Sequence, residues 1–206
     1  MDADEVHERW AERSGEYSPA YYAYYGPDET SEVVRRYLED AVDRDAPVLE
    51  LGCSSGRHLV HLHEHGYGDL HGIEINGESF EVMEDSYPAL AAAGTFYHDA
   101  IETVLPGFED DRFGAVYSVE TLQHVHPDNA WVFDEVARVA DDLLVTVENE
   151  GEDGEDVNYV NDDYASDEFP LYYRDWGRVF ADRGFAQVGA EPTDRDTLRA
   201  LRPVEE

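Results

Sequence analysis

Val33, Val34, Tyr37, Leu38 and Val42 recur at helical spacing, which predicts an amphipathic helix from Thr30 to about Asp43. A turn over Arg44 to Pro47 leads into Val48-Leu49-Glu50-Leu51, a short apolar run that ends in Gly52 and reads as a buried strand. A helix from about Gly56 to Glu64 follows, closed by Gly66 and Gly68. Leu70 to Ile75 is a second strand, and a helix through Phe80, Val82 and Met83 stops before Pro88. Thr95 to His98 and Phe113 to Val119 continue the strands, a helix spans about Asn129 to Val139, and Leu143 to Val147 is a further strand.

This alternation predicts an α/β fold with a mostly parallel sheet and helices on both faces. In such sheets ligands bind beyond the carboxyl ends of the strands, which directs attention to the residues after Leu51, Ile75, His98 and Val119. Residues 148–168 carry ten acids in twenty-one positions, with Gly151 and Gly154, and read as a solvated loop. After Pro170 the pattern predicts a helix carrying Tyr173, Trp176, Val179 and Phe180. Phe185 to Ala190 and Thr197 to Leu201 then read as strands, and the short connection through Pro192 and Asp194 allows an antiparallel hairpin.

Composition adds a constraint of a different kind. The 206 residues hold Asp+Glu 49 against Lys+Arg 14, a formal net charge of −35, and every basic residue is arginine. With 42% hydrophobic and 12% aromatic residues the chain can build a core despite this charge. The acids recur in nearly every element, which suits a surface that holds water and ions in concentrated salt better than a patch for one cationic partner. The lack of lysine resembles the proteomes of extreme halophiles such as haloarchaea. A polyanionic surface disfavours nucleic acid and anionic membranes as partners. No apolar run is long enough to span a bilayer, the N-terminus MDADEVHER lacks a basic leader, and Cys53 is the only cysteine; together these lead us to expect a cytoplasmic protein.

The most informative stretch is Glu50-Leu-Gly52-Cys53-Ser54-Ser-Gly56. Glycine after a buried strand permits a tight turn and a close backbone approach to a ligand, and the helix that follows presents free N–H groups. The pyrophosphate fingerprint GxGxxG is not matched, and Glu50 before the turn suits an ammonium or other cationic group. Gly72-Ile-Glu74-Ile75 places an acid at the end of the second strand, where a carboxylate can accept the hydroxyl hydrogens of a ribose. In His98-Asp99-Ala100, Asp99 can accept from an exocyclic amine. An amine, a ribose and an amino-bearing base occur together in S-adenosyl-L-methionine.

With Phe113-Gly-Ala-Val-Tyr-Ser118-Val-Glu-Thr-Leu-Gln-His124-Val-His126-Pro127 added, the chain resembles the class I S-adenosylmethionine-dependent methyltransferases from about Thr30 to its C-terminus. It departs from their [DE]xGxGxG motif in having Ser54 for the middle glycine. The resemblance implies a Rossmann-like, doubly wound, seven-stranded sheet with an antiparallel C-terminal hairpin, residues 30–206 forming the domain and residues 1–29 an N-terminal extension or lid. It implies further that Glu50 and the turn through Gly52, Cys53, Ser54 and Gly56 hold the methionine portion. Glu74 would take the ribose, and Asp99 the adenine amine, with Ile75 and Ala100 beside the ring. Ser118 would line the pocket near the methyl.

Methyl transfer needs a base only when the acceptor is protonated, and His124, then His126, are the candidates, either of which could instead orient its loop. Arg174 is a candidate for an anionic acceptor, and Tyr17, Tyr21, Tyr22, Tyr24 and Tyr25 with Trp10 suit either a dry acceptor pocket or a packed seam. His58, His61, His63, His65 and His71 include an i,i+4 pair, His61 and His65, but no HExxH motif or cysteine pair accompanies them, so they read as solvent-facing or half-buried side chains and no metal is expected. No appended recognition domain points to a macromolecule, so the expected acceptor is a small molecule. A nicotinamide-dependent oxidoreductase and a non-catalytic cofactor-binding scaffold remain the alternatives.

Overall fold

Strand residues of alternating direction build the molecule around one sheet with two buried faces. The computed structural model describes residues 1–151, 157–161, 168–193 and 195–204. Five strands run parallel: β1 (Pro47–Leu51), β2 (Asp69–Glu74), β3 (Thr95–His98), β4 (Phe113–Val119) and β5 (Ala140–Glu148). A C-terminal hairpin, β8 (Phe185–Pro192) and β9 (Thr197–Pro203), adds antiparallel to β5. The strand order is β3-β2-β1-β4-β5-β9-β8, a 7-stranded sheet whose order reverses between β1 and β4, the place where ligands bind in open α/β sheets.

Leu49, Leu51 and Val116 project to one face with Phe113, Phe133, Trp176 and Phe180, while Val48, Ala115 and Tyr117 project to the other with Val34, Leu38, Leu59 and Leu62. The second face is covered by α3 (Glu29–Glu39), α4 (Arg57–Glu64), α5 (Glu78–Ser86) and α6 (Pro88–Ala93). The first is covered by α7 (Ile101–Val104), α8 (Val132–Val139) and α9 (Trp176–Ala181). Period-2 alternation puts Glu50 on the same side as Val48, so a carboxylate enters the second core beside Tyr117.

Before the sheet, α1 (Ala3–Ala11) and α2 (Pro19–Tyr25) carry their own start signals. Asp2 and Glu5 close a capping box, and Ser18 caps α2 with Pro19 in its first turn. Asp28 and Ser31 form the corresponding box for α3.

The acidic stretch departs from expectation. Residues 157–161 (β6) pair antiparallel with residues 168–172 (β7) as a 2-stranded sheet, because Val157, Tyr159 and Val160 interrupt the acids with residues suited to a strand. The expected loop survives at 149–151, since Glu148 still belongs to β5, and Gly154 and Asp194 lie outside the described residues. Tyr173 also falls outside the helix predicted after Pro170: Pro170 to Tyr172 belong to β7, and α9 begins only at Trp176, where Asp175 accepts from the Arg178 N–H.

Candidate active site

At the switch point the chain turns sharply between β1 and α4. Gly52, Ser54 and Gly56 all have positive φ, at 67°, 47° and 83°. A side chain at Gly52 would drive into Thr121, with Cγ2 at 2.5 Å from the added carbon. Ser54 holds a left-handed conformation that costs a non-glycine residue roughly 1 kcal/mol, so the serine occupies a position whose backbone favours glycine. The Ser54 N–H donates to Glu74 Oε2 at 2.8 Å and the Asn76 N–H donates to Oε1 at 2.8 Å, so the acid at the end of β2 braces the turn and is itself fixed. Burial nevertheless pushes the Glu74 carboxyl above its ordinary range.

These elements open into a cleft of about 1020 Å³, part of it open to solvent. Glu50 stands at its floor, 1% exposed, accepting a hydrogen bond from the Tyr117 hydroxyl at 3.0 Å. Desolvation raises its carboxyl well above the usual carboxylate range, so a cationic partner would restore the ionised form. Gly52, Cys53, Ser54, Glu74, Ile75, Asp99, Ala100 and His124 also line the cleft. Asp99 is exposed at the rim and accepts from the Ala100 N–H at 2.8 Å. The Cys53 thiol is buried, and burial raises its pKa well above the usual thiol range, so it is no thiolate.

Four of the candidate residues lie elsewhere. Gly56 starts α4 with its missing side chain turned to Leu90 and Met83, so it serves packing behind the turn. Ser118 is fully buried and donates its hydroxyl to Glu148 of the neighbouring strand β5, so it does not line the cleft. His126 packs edge-on to Tyr172 and accepts from the Asp128 N–H at 3.2 Å. Arg174 donates to the carbonyls of Val125 at 2.6 Å and Leu122 at 3.3 Å and lies over Phe133, which makes it a clamp under the loop after β4 instead of an anion site in the cleft.

That loop is held by a residue the motifs did not reveal. Glu148, fully buried at the end of β5, accepts from the N–H groups of Thr121 at 3.2 Å, Leu122 at 3.0 Å and Gln123 at 3.1 Å, besides Ser118. Burial raises its pKa to about 7 despite these donors. The turn so fixed carries His124, whose Nδ1 lies 3.2 Å from the Pro170 carbonyl. Since a carbonyl only accepts, Nδ1 bears the proton and Nε2 is left with a lone pair. Burial lowers the His124 pKa to about 4, so the ring is neutral near pH 7.

The N-terminal segment forms one wall, with Val6, His7, Trp10, Arg13, Tyr17 and Tyr22 lining the cleft. It is tied down by Asn76 Nδ2 donating to the Arg13 carbonyl at 3.0 Å, by Ser55 Oγ donating to the Pro19 carbonyl at 3.1 Å, and by a His7–Glu102 pair at 3.1 Å. The Trp10 ring stands 4.6 Å from that of His124. Sequence pattern had marked the aromatics of this segment but not His7 or Arg13, whose roles depend on a docking that no local periodicity encodes.

Residues 48–142 match the sequence profile of a family described as "Methyltransferase domain". No curated protein matches the chain in sequence. Among solved structures, a SAM-dependent methyltransferase from Methanosarcina mazei superposes with a TM-score of 0.69 at 17% identity, covering 84% of this chain and 98% of the other. A geranyl diphosphate C-methyltransferase from Streptomyces coelicolor gives a TM-score of 0.66 at 12% identity, covering 98% of each chain. The 1,6-didemethyltoxoflavin-N1-methyltransferase of Burkholderia thailandensis gives 0.63 at 14% identity, covering 98% of this chain and 84% of that one. Residues 48–142 are thus similar to a methyltransferase domain, and the chain shares its fold with methyltransferases of known structure.

Proposed function

We propose that the protein transfers a methyl group from S-adenosyl-L-methionine to a small-molecule acceptor. The observation that carries this is the pair of carboxylates, the buried Glu50 and the half-buried Glu74, that line the cleft beside a left-handed turn at the switch point. Glu50 meets an ammonium group, whose charge offsets the desolvation of the carboxylate. Glu74 keeps lone pairs on both oxygens beyond its two backbone donors, which suits the two hydroxyls of a ribose. Asp99 accepts from the adenine amine, Ile75 and Ala100 flank the ring, and Gly52, Cys53 and Ser54 bring the backbone close to the methionine portion. Arg13, buried in the same cleft, is suited to the methionine carboxylate. The cofactor, when bound, supplies an electrophilic methyl on a sulfonium.

The chain's own residues then orient the acceptor and exclude water. His124 offers the Nε2 lone pair to a protonated acceptor atom. With a pKa of about 4 it is a weak base, so its main contribution is to hold the nucleophile in line, and its neutrality avoids placing a second positive charge beside a sulfonium. Trp10, Val6 and Val125 make that end of the cleft apolar. Support for a small acceptor comes from the relatives in shape that are named for toxoflavin and geranyl diphosphate chemistry. The charge of −35 further supports work in concentrated salt inside a cell. Among the described residues no helix is long and apolar enough to cross a membrane.

A nicotinamide-dependent oxidoreductase is disfavoured, because Glu50 at the turn would face a pyrophosphate with like charge. The test is incubation of the purified chain in molar KCl with S-adenosylmethionine and panels of phenol, amine and carboxylate acceptors, with S-adenosylhomocysteine as readout. Turnover with one class supports the proposal. Binding of NADH in place of S-adenosylmethionine would refute it, and cofactor binding without product from any acceptor would favour a scaffold.

A further inference from the structure

Away from the cleft, Glu32 on α3 meets His61 and His65 at the end of α4, with donor atoms of all three lying within 4.8 Å of one another. We propose that these side chains bind a late first-row divalent transition metal, of the Zn²⁺ or Ni²⁺ kind, which clips α3 to α4. The two histidines are i,i+4 on one helix face with ring centroids 4.4 Å apart, and Glu32 Oε2 lies 2.9 Å from His61 Nε2. Sequence spacing showed only the histidine pair; the carboxylate arrives from another helix.

The protonation pattern fits a ligand set. His65 Nδ1 lies 2.7 Å from the His61 carbonyl, so it must donate, which leaves the lone pair on Nε2 and orients the ring through a backbone acceptor, as metal-binding histidines commonly are. His61 now directs a proton at Glu32; with a metal in that place the proton moves to Nδ1 and Nε2 binds. Bonds of ~2.0–2.1 Å in a tetrahedral site put donors about 3.3 Å apart. His61 and Glu32 already approximate that spacing, and the exposed His65 needs only a small side-chain swing.

The surroundings favour a cation. The group sits at the carboxyl end of α4, the negative pole of the helix dipole, in a chain of charge −35. Two imidazoles with one carboxylate prefer zinc, nickel or copper over magnesium or calcium. The competitor is Arg35, which donates to Glu32 Oε2 at 2.9 Å and Oε1 at 2.8 Å. It also holds Glu39 at 2.7 Å, so it retains an acid when the metal takes Oε2. Arg35 should therefore weaken the site without abolishing it.

The site is separate from the cleft, since none of its three ligands lines it, but the same helix begins at the cofactor turn and presents Arg57 and His58 to the cleft. The experiment is titration of the full chain with ZnCl₂ and NiCl₂ in molar KCl at neutral pH, by calorimetry and thermal melting. We expect one equivalent to bind and Tm to rise by about 5 °C at a hundredfold excess over Kd. His65→Ala, an exposed change that leaves the fold intact, and His61→Gln should each weaken binding about tenfold or more. His63→Ala should leave it unchanged, Arg35→Gln should tighten it, and excess Mg²⁺ should not compete. Cu²⁺ bound to the chain should show coupling to two imidazoles by electron paramagnetic resonance, and to one in His65→Ala. Zinc binding that survives both histidine changes, or that Mg²⁺ displaces, would mean generic association with surface carboxylates and would overturn the proposal.

Discussion

Substituting Glu148 by Gln isolates the buried carboxyl that shapes the loop after β4. In the folded protein this group has a pKa of about 7 against an ordinary 4.5, with desolvation as the leading cause. Between those values the native state retains the proton and the unfolded chain has lost it, so unfolding releases a proton and stability falls as pH rises. At 1.36 kcal/mol per pKa unit the group contributes a loss of ~3 kcal/mol between pH 4.5 and pH 7. Glutamine keeps one acceptor for the Ser118 hydroxyl and the Thr121 and Leu122 N–H groups but turns an NH₂ toward the Gln123 N–H, at a cost of about 1–3 kcal/mol for the lost acceptor. The variant should thus be less stable than the parent at pH 5, and the gap should shrink by roughly 3 kcal/mol, closing or reversing, by pH 8. Denaturant melts of both proteins in molar KCl across this range measure the difference, in which the titration of acids that do not interact with Glu148 cancels; Asp196, whose carboxyl Glu148 helps to push up to about 8, is the exception. A gap that is constant with pH, or that widens as pH rises, would refute the reasoning.

Three further outcomes follow from the cleft. Gly52→Ala, which combines a φ of 67° with collision against Thr121, should cost about 3 kcal/mol in denaturant melts and abolish cofactor affinity in calorimetry. Ser54→Gly should relieve left-handed strain at φ 47°, and after the offsetting entropy of the unfolded chain the net gain should be within about 1 kcal/mol; a loss above that would show that the serine side chain is needed for the turn. Because the His124 pKa is about 4, the pH profile of kcat should show no His124 ionisation between pH 6 and 8, and His124→Gln should lower kcat with little change in that profile; a step near pH 6.5 that the variant removes would contradict this.

The sheet was legible because its signals are local. Val48 to Leu51 and Phe113 to Val119 are short, largely buried runs closed by turn residues, Thr95 to His98 is a short apolar-polar run at the sheet edge, and each is a strand. The pairing of residues 157–161 with 168–172 was hidden by acids that dominate the composition of their neighbourhood, so it could not be weighed from local pattern. The expected residues at the ends of β1, β2 and β3 come together in one cleft because position after a parallel strand carries meaning. Ser118 and Arg174 were misplaced for a shared reason: both satisfy the loop that Glu148 organises, and a buried carboxylate from β5 is indistinguishable in sequence from the other acids around it. The wall contributed by Trp10 and Arg13 arises from docking of a separate segment, which only the three-dimensional arrangement supplies.

The most direct test of the cofactor assignment compares S-adenosylhomocysteine with its 2′-deoxy analogue, binding to the parent protein and to Glu74→Ala in molar KCl. Removing the hydroxyl should weaken binding to the parent about tenfold or more, as expected for one hydrogen bond to a charged group, and should make almost no further difference in the variant. The comparison within each protein separates the ribose contact from any loosening of the turn that Glu74 braces through the Ser54 N–H. An equal loss in both proteins, or none in the parent, would contradict the assignment of this cleft to S-adenosylmethionine.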